Sequence, residues 1–320
     1  MILVPKFPSI PQLSIIVPVG NDPSAFEDTL LSVLENRPDR CEVIVPHDGR
    51  YDDPFDLSDE VRLVVAEGGN FVDTVLAGAR AARGEFVHVL AAGLQATAGW
   101  ADVALERFRH REVAAVAPVV RCAENRRVVS AGWTDTSAML FQPVAAGRSD
   151  VDANRIPEEV GAYLAASFWR RSVFLSLGDA FLYNGGHDAE SVSETSYVFY
   201  QLLRGAGWQA SLASDCDVIS AESEMAGERA SVERGRRIGA AKRHFEPATA
   251  SLSLVGMIQA AIGTIVRSGE CGQWFGRATS GKRVEKLCKR LRPEIVQCLT
   301  SDVQEALPLD GLHQTHRRAA

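Results

Sequence analysis

The chain has 320 residues, 46% of them hydrophobic and 23% charged, a composition that suits a globular protein and excludes a largely disordered one. Such a length exceeds one minimal domain and points to about two units, or one large α/β domain with an appendage. The net charge of −7 hides an asymmetry: from residue 226 onward 16 Lys and Arg face 9 Asp and Glu, whereas 18 face 32 before it.

The start, "MILVPKFPSIPQ", carries Pro5, Pro8 and Pro11 and lacks the apolar core and cleavage site of a signal peptide, so a cytoplasmic location is expected. "LSIIVPV" (Leu13 to Val19) is a short run rich in β-branched residues and closed by Gly20-Asn21-Asp22-Pro23. It reads as a strand buried on both faces. "SAFEDTLLSVLEN" has helical periodicity, with Ser24 in the N-cap position and Glu27 completing a capping box. "CEVIVPHDG" and "VRLVVA" are the next two strands, "NFVDTVLAGARAA" is a helix and "EFVHVLA" (Glu85 to Ala91) a fourth strand. Strands alternating with helices predict a parallel, doubly wound sheet with ligands beyond the carboxyl ends of its strands.

Further on, "WADVALERFRH" reads as a helix, "VAAVAPVV" as a buried strand and residues 131–160 as loop. "GAYLAASFWRRSVFLSLG" is a strand running into a helix, "SETSYVFYQLLRGAGW" an amphipathic helix closed by Gly205 and Gly207, and "QASLASDCDVIS" an edge strand. A linker around "SEMAGE" precedes the helix "RASVERGRRIGAAKRHF", which Pro247 ends. The remainder reads as helices with a frayed tail. Its longest apolar run, Leu252 to Val266, is shorter than a bilayer-spanning helix and suits a buried or interfacial one. The six cysteines form no Cys-x-x-Cys pair and have no partnering His at zinc-like spacing, so reduced thiols are expected. The basic C-terminal third could face anionic lipid or a protein partner, or dock on the acidic body. With no interleaved aromatics, nucleic-acid binding is not expected.

Five segments, "LSIIVPVGND", "CEVIVPHDGRYDD", "GGNFVDTVLAGARAARGEFVHVLAAG", "GAYLAASFWRRSVFLSLG" and "LLRGAGWQASLASDCDVI", follow one another in the order and spacing of a known family. Over residues 12–245 the chain resembles the inverting family 2 glycosyltransferases of GT-A fold. The resemblance implies a Rossmann-like α/β domain with a mixed, mostly parallel sheet flanked by helices. Residues 1–11 form a lead-in and 246–320 a helical, basic C-terminal extension. It also implies transfer of a sugar from a UDP-, GDP- or dTDP-linked donor to a glycan or lipid-linked acceptor, by a protein that is cytoplasmic or peripheral to the membrane.

Carried over residue by residue, the resemblance places Pro18, Val19 and Asn21 along the nucleotide base, with Gly20 where the family has an aromatic. Asp48, in His47-Asp48-Gly49-Arg50, would accept a hydrogen bond from the base; the other reading of Asp48 is an Asx turn. Gly69 and Asn70 match the segment that lies along the nucleotide. The Asp-x-Asp motif, which holds Mg²⁺ or Mn²⁺ on the diphosphate through hard oxygen ligands, falls on Ala91 and Gly93. Neither can coordinate a cation, so no cofactor is expected with those ligands absent.

The catalytic-base pair, counted back from Ala206-Gly207-Trp208, falls on Glu194-Thr195 if one residue is inserted at Gly205, and otherwise on Thr195-Ser196. Asp188 and Glu190 in the preceding loop could substitute. Arg50, Arg170 and Arg171 are candidates for phosphate contacts, and His47, His88 and Asp48 for an improvised metal or phosphate site. Three functions remain open: a glycosyltransferase working without the usual metal, a catalytically inactive relative that binds a sugar nucleotide, a glycan or a partner enzyme, and a structural subunit with a collapsed pocket that works through its basic helical tail. Losing both metal ligands and base would cost a rate factor of roughly 10³ or more unless replaced.

Overall fold

A computed structural model describes residues 10–51, 53–54, 56–136, 140–152, 155–157, 159–183, 192–222, 232–245 and 272–273. In chain order the elements are β1 (Leu13–Ile16), α1 (Pro23–Glu35), β2 (Cys41–His47), β3 (Arg62–Val65), α2 (Phe71–Ala81), β4 (Phe86–Leu90), β5 (Leu94–Ala96), α3 (Trp100–Arg107) and β6 (Val113–Cys122). There follow β7 (Val128–Ser130), β8 (Trp133–Thr134), β9 (Gln142–Pro143), β10 (Ala166–Arg170), α4 (Arg171–Tyr183), α5 (Val192–Gly205), β11 (Gln209–Ser220) and α6 (Val232–Phe245).

One mixed sheet runs β3-β2-β1-β4-β10-β6-β11-β5, with β7 paired to β6; β8 and β9 form a separate ribbon. β1 pairs parallel with β2 and β4, and β2 with β3. β10 is antiparallel to both β4 and β6, so β6 and its parallel neighbour β11 run the same way as β1 to β4. This is the mostly parallel, helix-flanked sheet expected from the alternation of elements. Its consequence is positional: the carboxyl ends of six strands lie along one end of the sheet, and β10 alone among the long strands brings its amino end there.

The local chemistry of each element is simple. β1, β2 and β4 are buried along their whole length, as continuous apolar runs covered on both faces must be. Past Ile16 the β1 ladder continues, with Val17 N donating to Ile44 O and Val19 N to Pro46 O, so the strand-like stretch reaches Val19 as its composition predicts. The helix after it starts differently from expectation. Asp22, not Ser24, is the N-cap: its carboxylate accepts from the amides of Ser24 and Ala25 while Pro23 takes the first helical position, where its missing N–H costs nothing.

The stretch 209–220 is also corrected. Instead of an edge strand, β11 lies between β6 and β5, with an irregularity between Ala213 and Asp217. β5 pairs only with Val218 to Ser220, so the amino-terminal half of β11 has β6 as its one strand neighbour among the described residues. The apolar run 252–266 and most of the C-terminal extension lie outside the described residues. Within that extension Gln273 is buried, and its side-chain amide binds both the N–H and the carbonyl of Leu140. Cys41, Cys122 and Cys216 are buried free thiols. No described helix is long and apolar enough to cross a membrane.

Candidate active site

The amino and carboxyl ends of the sheet differ in how their charges are used. At the amino end Glu42, 1% exposed, accepts from Ser14 Oγ at 2.7 Å and from the Arg83 amide at 2.6 Å, and pairs with the guanidinium groups of Arg62 and Arg83. Burial alone would raise its carboxyl, but these donors outweigh burial and hold it below the usual carboxylate range. Arg170 sits at this same end, opposite Phe86 in the register of β10 with β4. Its guanidinium donates to the carbonyls of Val113, Phe108 and His110 and stacks near Phe86, Phe108 and Trp208. Arg170 and, beside it, Arg171, whose N–H donates to Glu85 O, therefore lie away from the carboxyl ends of β1 to β4, where the phosphate contacts were expected. The antiparallel direction of β10 carries them to the opposite end of the sheet.

The other expected residues gather at the carboxyl end. Pro18 is buried, Val19 half-buried and Asn21 exposed where β1 gives way to α1. Gly20 lies beside Ala92, a Cβ built on it standing 3.1 Å from the Ala92 methyl. Asp48 follows β2 directly: Oδ1 accepts from the Arg50 amide at 3.1 Å and Oδ2 lies 3.6 Å from Arg50 Nε. Its side chain is 46% exposed and that of Arg50 90%. The Asx turn is thus present, and it leaves the carboxylate at the surface at the strand end. Tyr51, which the sequence did not single out, packs edge-on against Phe26 and His47 at the same end.

Gly69 has open space around its Cβ position. The Asn70 side chain is engaged as the N-cap of α2, accepting from Asp73 N at 2.9 Å and donating to Asp73 Oδ2 at 2.8 Å. Its part in the segment is to start the helix.

Ala91 follows β4 directly and Gly93 precedes β5. Ala91 N donates to Ala165 O, Gly93 N to Ala25 O and to Thr29 Oγ1 at 3.0 Å, and Gly93 O accepts from Ala221 N. The strand end is thereby pinned to α1, to the approach to β10 and to the end of β11. Gly93 has φ +88, a conformation that favours glycine over a side chain. Ala91 offers a methyl and Gly93 a hydrogen, and no group of three or more His, Cys, Asp or Glu converges among the described residues. These positions do not fit Mg²⁺ or Mn²⁺.

The improvised His site is not assembled either. His47 and His88 are on strands separated by β1, and His47 Nδ1 accepts from Gly49 N. His88 is wholly buried, its Nδ1 bonded to Ser167 O at 3.0 Å and its ring stacked on Phe168 and edge-on to Trp100. Burial pushes its pKa down to about 3, against a smaller opposing effect of the Ser167 carbonyl. It is a neutral core residue. Leu94 and Trp100, which could have filled the strand end, are core residues as well.

Glu194 occupies the first turn of α5, 7% exposed. The helix leads back to the amino end of β11, so its first turn lies at the carboxyl end of the sheet. Two hydrogen bonds tie that turn to the end of β4 through one short segment: Leu164 N donates to Ser196 Oγ at 3.0 Å, and Ala165 O accepts from Ala91 N. Burial raises the Glu194 carboxyl above its ordinary range, with Arg237 of α6 pulling it back and Glu233 adding to the rise. Thr195 and Ser196 are buried beside it. Asp188 and Glu190 lie outside the described residues.

Around this turn the structure adds groups with no local signal in the sequence. Asp135 accepts from Tyr197 OH at 2.8 Å, from Lys242 Nζ at 2.9 Å and from the Phe141 amide. Arg234 donates from Nε to Ser193 Oγ at 3.0 Å and lies over the Phe141 ring.

Comparison with known proteins agrees with this architecture. Residues 14–155 match the model of Glycosyl transferase family 2. The chain is similar to S. aureus TarS 1-349, with 13% identity, 93% of each chain covered and a TM-score of 0.51; the TarS 1-349 complex with UDP-GlcNAc gives 14%, 93% of each chain and 0.48. Mannosyltransferase PcManGT from Pyrobaculum calidifontis, in complex with GDP-Man and Mn²⁺, covers 92% of this chain and 87% of its own at 15% identity and a TM-score of 0.44. A search of curated proteins by sequence finds no match. The matched segment runs from β1 past the end of β6 and contains the ends of β1 to β4, and the likeness to TarS 1-349 is one of fold: a mixed α/β sheet flanked by helices, as in GT-A glycosyltransferase structures.

Proposed function

We propose that the protein transfers a sugar from a nucleotide-diphosphate donor to a hydroxyl acceptor, with Glu194 as general base and without an Asp-x-Asp cation. The observation that carries this reading is Glu194 itself: a buried carboxyl with a raised pKa, in a helical turn tied by hydrogen bonds to the end of β4. Such a group binds a proton more readily than a solvated carboxylate, as deprotonating a sugar hydroxyl requires. In the step, the acceptor oxygen forms a bond to the anomeric carbon as the bond from that carbon to the β-phosphate oxygen breaks. The leaving nucleoside diphosphate keeps the electron pair, and the acceptor proton passes to the Glu194 carboxylate. Asp48, exposed at the end of β2, supports recognition of the base through an acceptor-only carboxylate.

The test is turnover of UDP-, GDP- and dTDP-sugars with and without EDTA, followed by mass spectrometry of donor and product. Turnover should survive chelation and fall by roughly 10²-fold or more in Glu194→Gln. Activity abolished by EDTA would sink the metal-free mechanism. A second reading, a binding protein without activity, is favoured by Ala91 and Gly93, and it is the outcome if nucleotides bind yet no donor is turned over.

A further inference from the structure

Resting on the transfer reading, in which Glu194 takes up the acceptor's proton, the question is what fixes the turn that carries it. The answer begins at a strained residue. Phe141 has φ +57, a left-handed conformation that a bulky side chain keeps only where its surroundings hold it there. Its ring is fully buried against Trp133, Tyr163 and Tyr197, and its N–H donates to Asp135 Oδ1 at 3.1 Å.

The residue before it is clamped from far along the chain. Gln273 is 5% exposed; its Oε1 accepts from Leu140 N at 2.8 Å and its Nε2 donates to Leu140 O at 2.9 Å. One amide thus meets both backbone groups of Leu140, as a neighbouring strand would. α6 seats Gln273 in turn: a Cβ at Gly239 would collide with the Gln273 carbonyl, and one at Gly272 with the carbonyl of Val232. Backbone approach at two glycines and a matched, buried amide are separate marks of a built joint.

From Phe141 two paths lead to the first turns of α5. Asp135, which holds the Phe141 amide, also accepts from Tyr197 OH at 2.8 Å, and Tyr197 follows Glu194 at the i+3 position, on the same side of the helix. Arg234, over the Phe141 ring at 5.1 Å, donates to Ser193 Oγ at 3.0 Å, next to Glu194 in the chain. We propose that Gln273 is a positioning residue for the transfer: by clamping Leu140 it holds the Phe141 corner, and that corner holds the Glu194 turn. Through this contact a residue beyond α6 completes the site.

The test uses the full chain and whichever of the UDP-, GDP- and dTDP-sugars the wild type turns over. Gln273→Met keeps the side-chain length and removes both hydrogen bonds. It should lower kcat by roughly 10- to 100-fold. The donor KM should stay within about two-fold, since the proposed base contact, Asp48, follows β2 and lies outside this corner. Hydrogen exchange should quicken at residues 140–141 and in the first turns of α5, and stay as in the wild type along β1 and β2. Glu42→Gln, at the other end of the sheet, is the control: it should lower stability and leave kcat alone. Should Gln273→Met fail to fold, Gln273→Glu, whose carboxylate accepts from Leu140 N but repels Leu140 O, carries the same comparison. An unchanged kcat, a loss confined to donor KM, unchanged exchange in α5, or an equal fall in kcat for Glu42→Gln overturns the inference and leaves the transferase reading standing. A wild type that turns over no donor overturns both.

Discussion

His88 offers a quantitative check on whether the end of β4 is core or ligand site. Its ring is wholly buried, Nδ1 bonded to Ser167 O, and Nε2 has no hydrogen-bond partner. Desolvation places its folded pKa near 3 against the usual 6.5. The sign follows from linkage: below pH 6.5 the unfolded chain binds a proton there that the folded protein does not accept until about pH 3. Stability is therefore lost as pH falls through that window. Between pH 6.5 and pH 5 the difference is about 1.5 pH units at ~1.4 kcal/mol each, or ~2 kcal/mol. The assay is urea unfolding of wild type and His88→Leu at pH 7.5 and pH 5. Leucine lowers stability at both pH values by losing the stack on Phe168, so the readout is the difference of differences. The wild type should lose about 2 kcal/mol more than the variant on acidification. Equal losses would refute the neutral-core account. A wild-type midpoint raised by Mn²⁺ and not raised in His88→Leu would identify a ligand instead.

Two further outcomes test the frame that carries the site. Glu42→Gln should destabilise the protein by ~2–3 kcal/mol in urea, toward the low end for a broken buried pair because Arg62 and Arg83 are partly exposed. Since the Glu42 carboxyl is held low in the folded state, its contribution is present above the ordinary carboxylate range and lost as pH falls through the folded value, so the variant should show a shallower acid limb. Gly161→Ala would put a methyl 2.3 Å from the buried Trp133 ring and should lower Tm through an overpacking cost of ~2–3 kcal/mol; an unchanged melt would mean that this corner of the core yields.

Most of the frame was legible because its strands are apolar runs buried on both faces: Leu13 to Val19, Cys41 to His47 and Phe86 to Leu90 need no partner to be recognised. Direction was not legible. Nothing in "ASFWRR" distinguishes a strand inserted antiparallel between two parallel ones, and that reversal places Arg170 at the amino end of the sheet. The Ser24 cap was misread because Asp22 and Ser24 are both good caps, and Pro23 between them decides for Asp22. His88 reads as a polar interruption, and only burial among Phe168 and Trp100 shows it to be core. The cluster around Asp135 joins residues 62 and 107 positions apart, which no local pattern connects. Charge did leave a trace: the excess of basic residues from 226 onward begins with the arginines of α6.

The contrast between the two ends of the sheet is itself an argument about function. At the amino end, the buried Glu42 has four donors and the Arg170 guanidinium three carbonyls. An arrangement of that kind stabilises and has little left to offer a ligand. At the carboxyl end Asp48 and Arg50 stay at the surface, Gly69 borders open space, and burial raises the pKa of the Glu194 carboxyl. Holding Glu194 in that setting opposes folding, since desolvation penalises its charge. A chain selected for stability alone would do better with an apolar residue there. The cost is accounted for if the carboxyl must take up the acceptor's proton, as the proposed transfer requires.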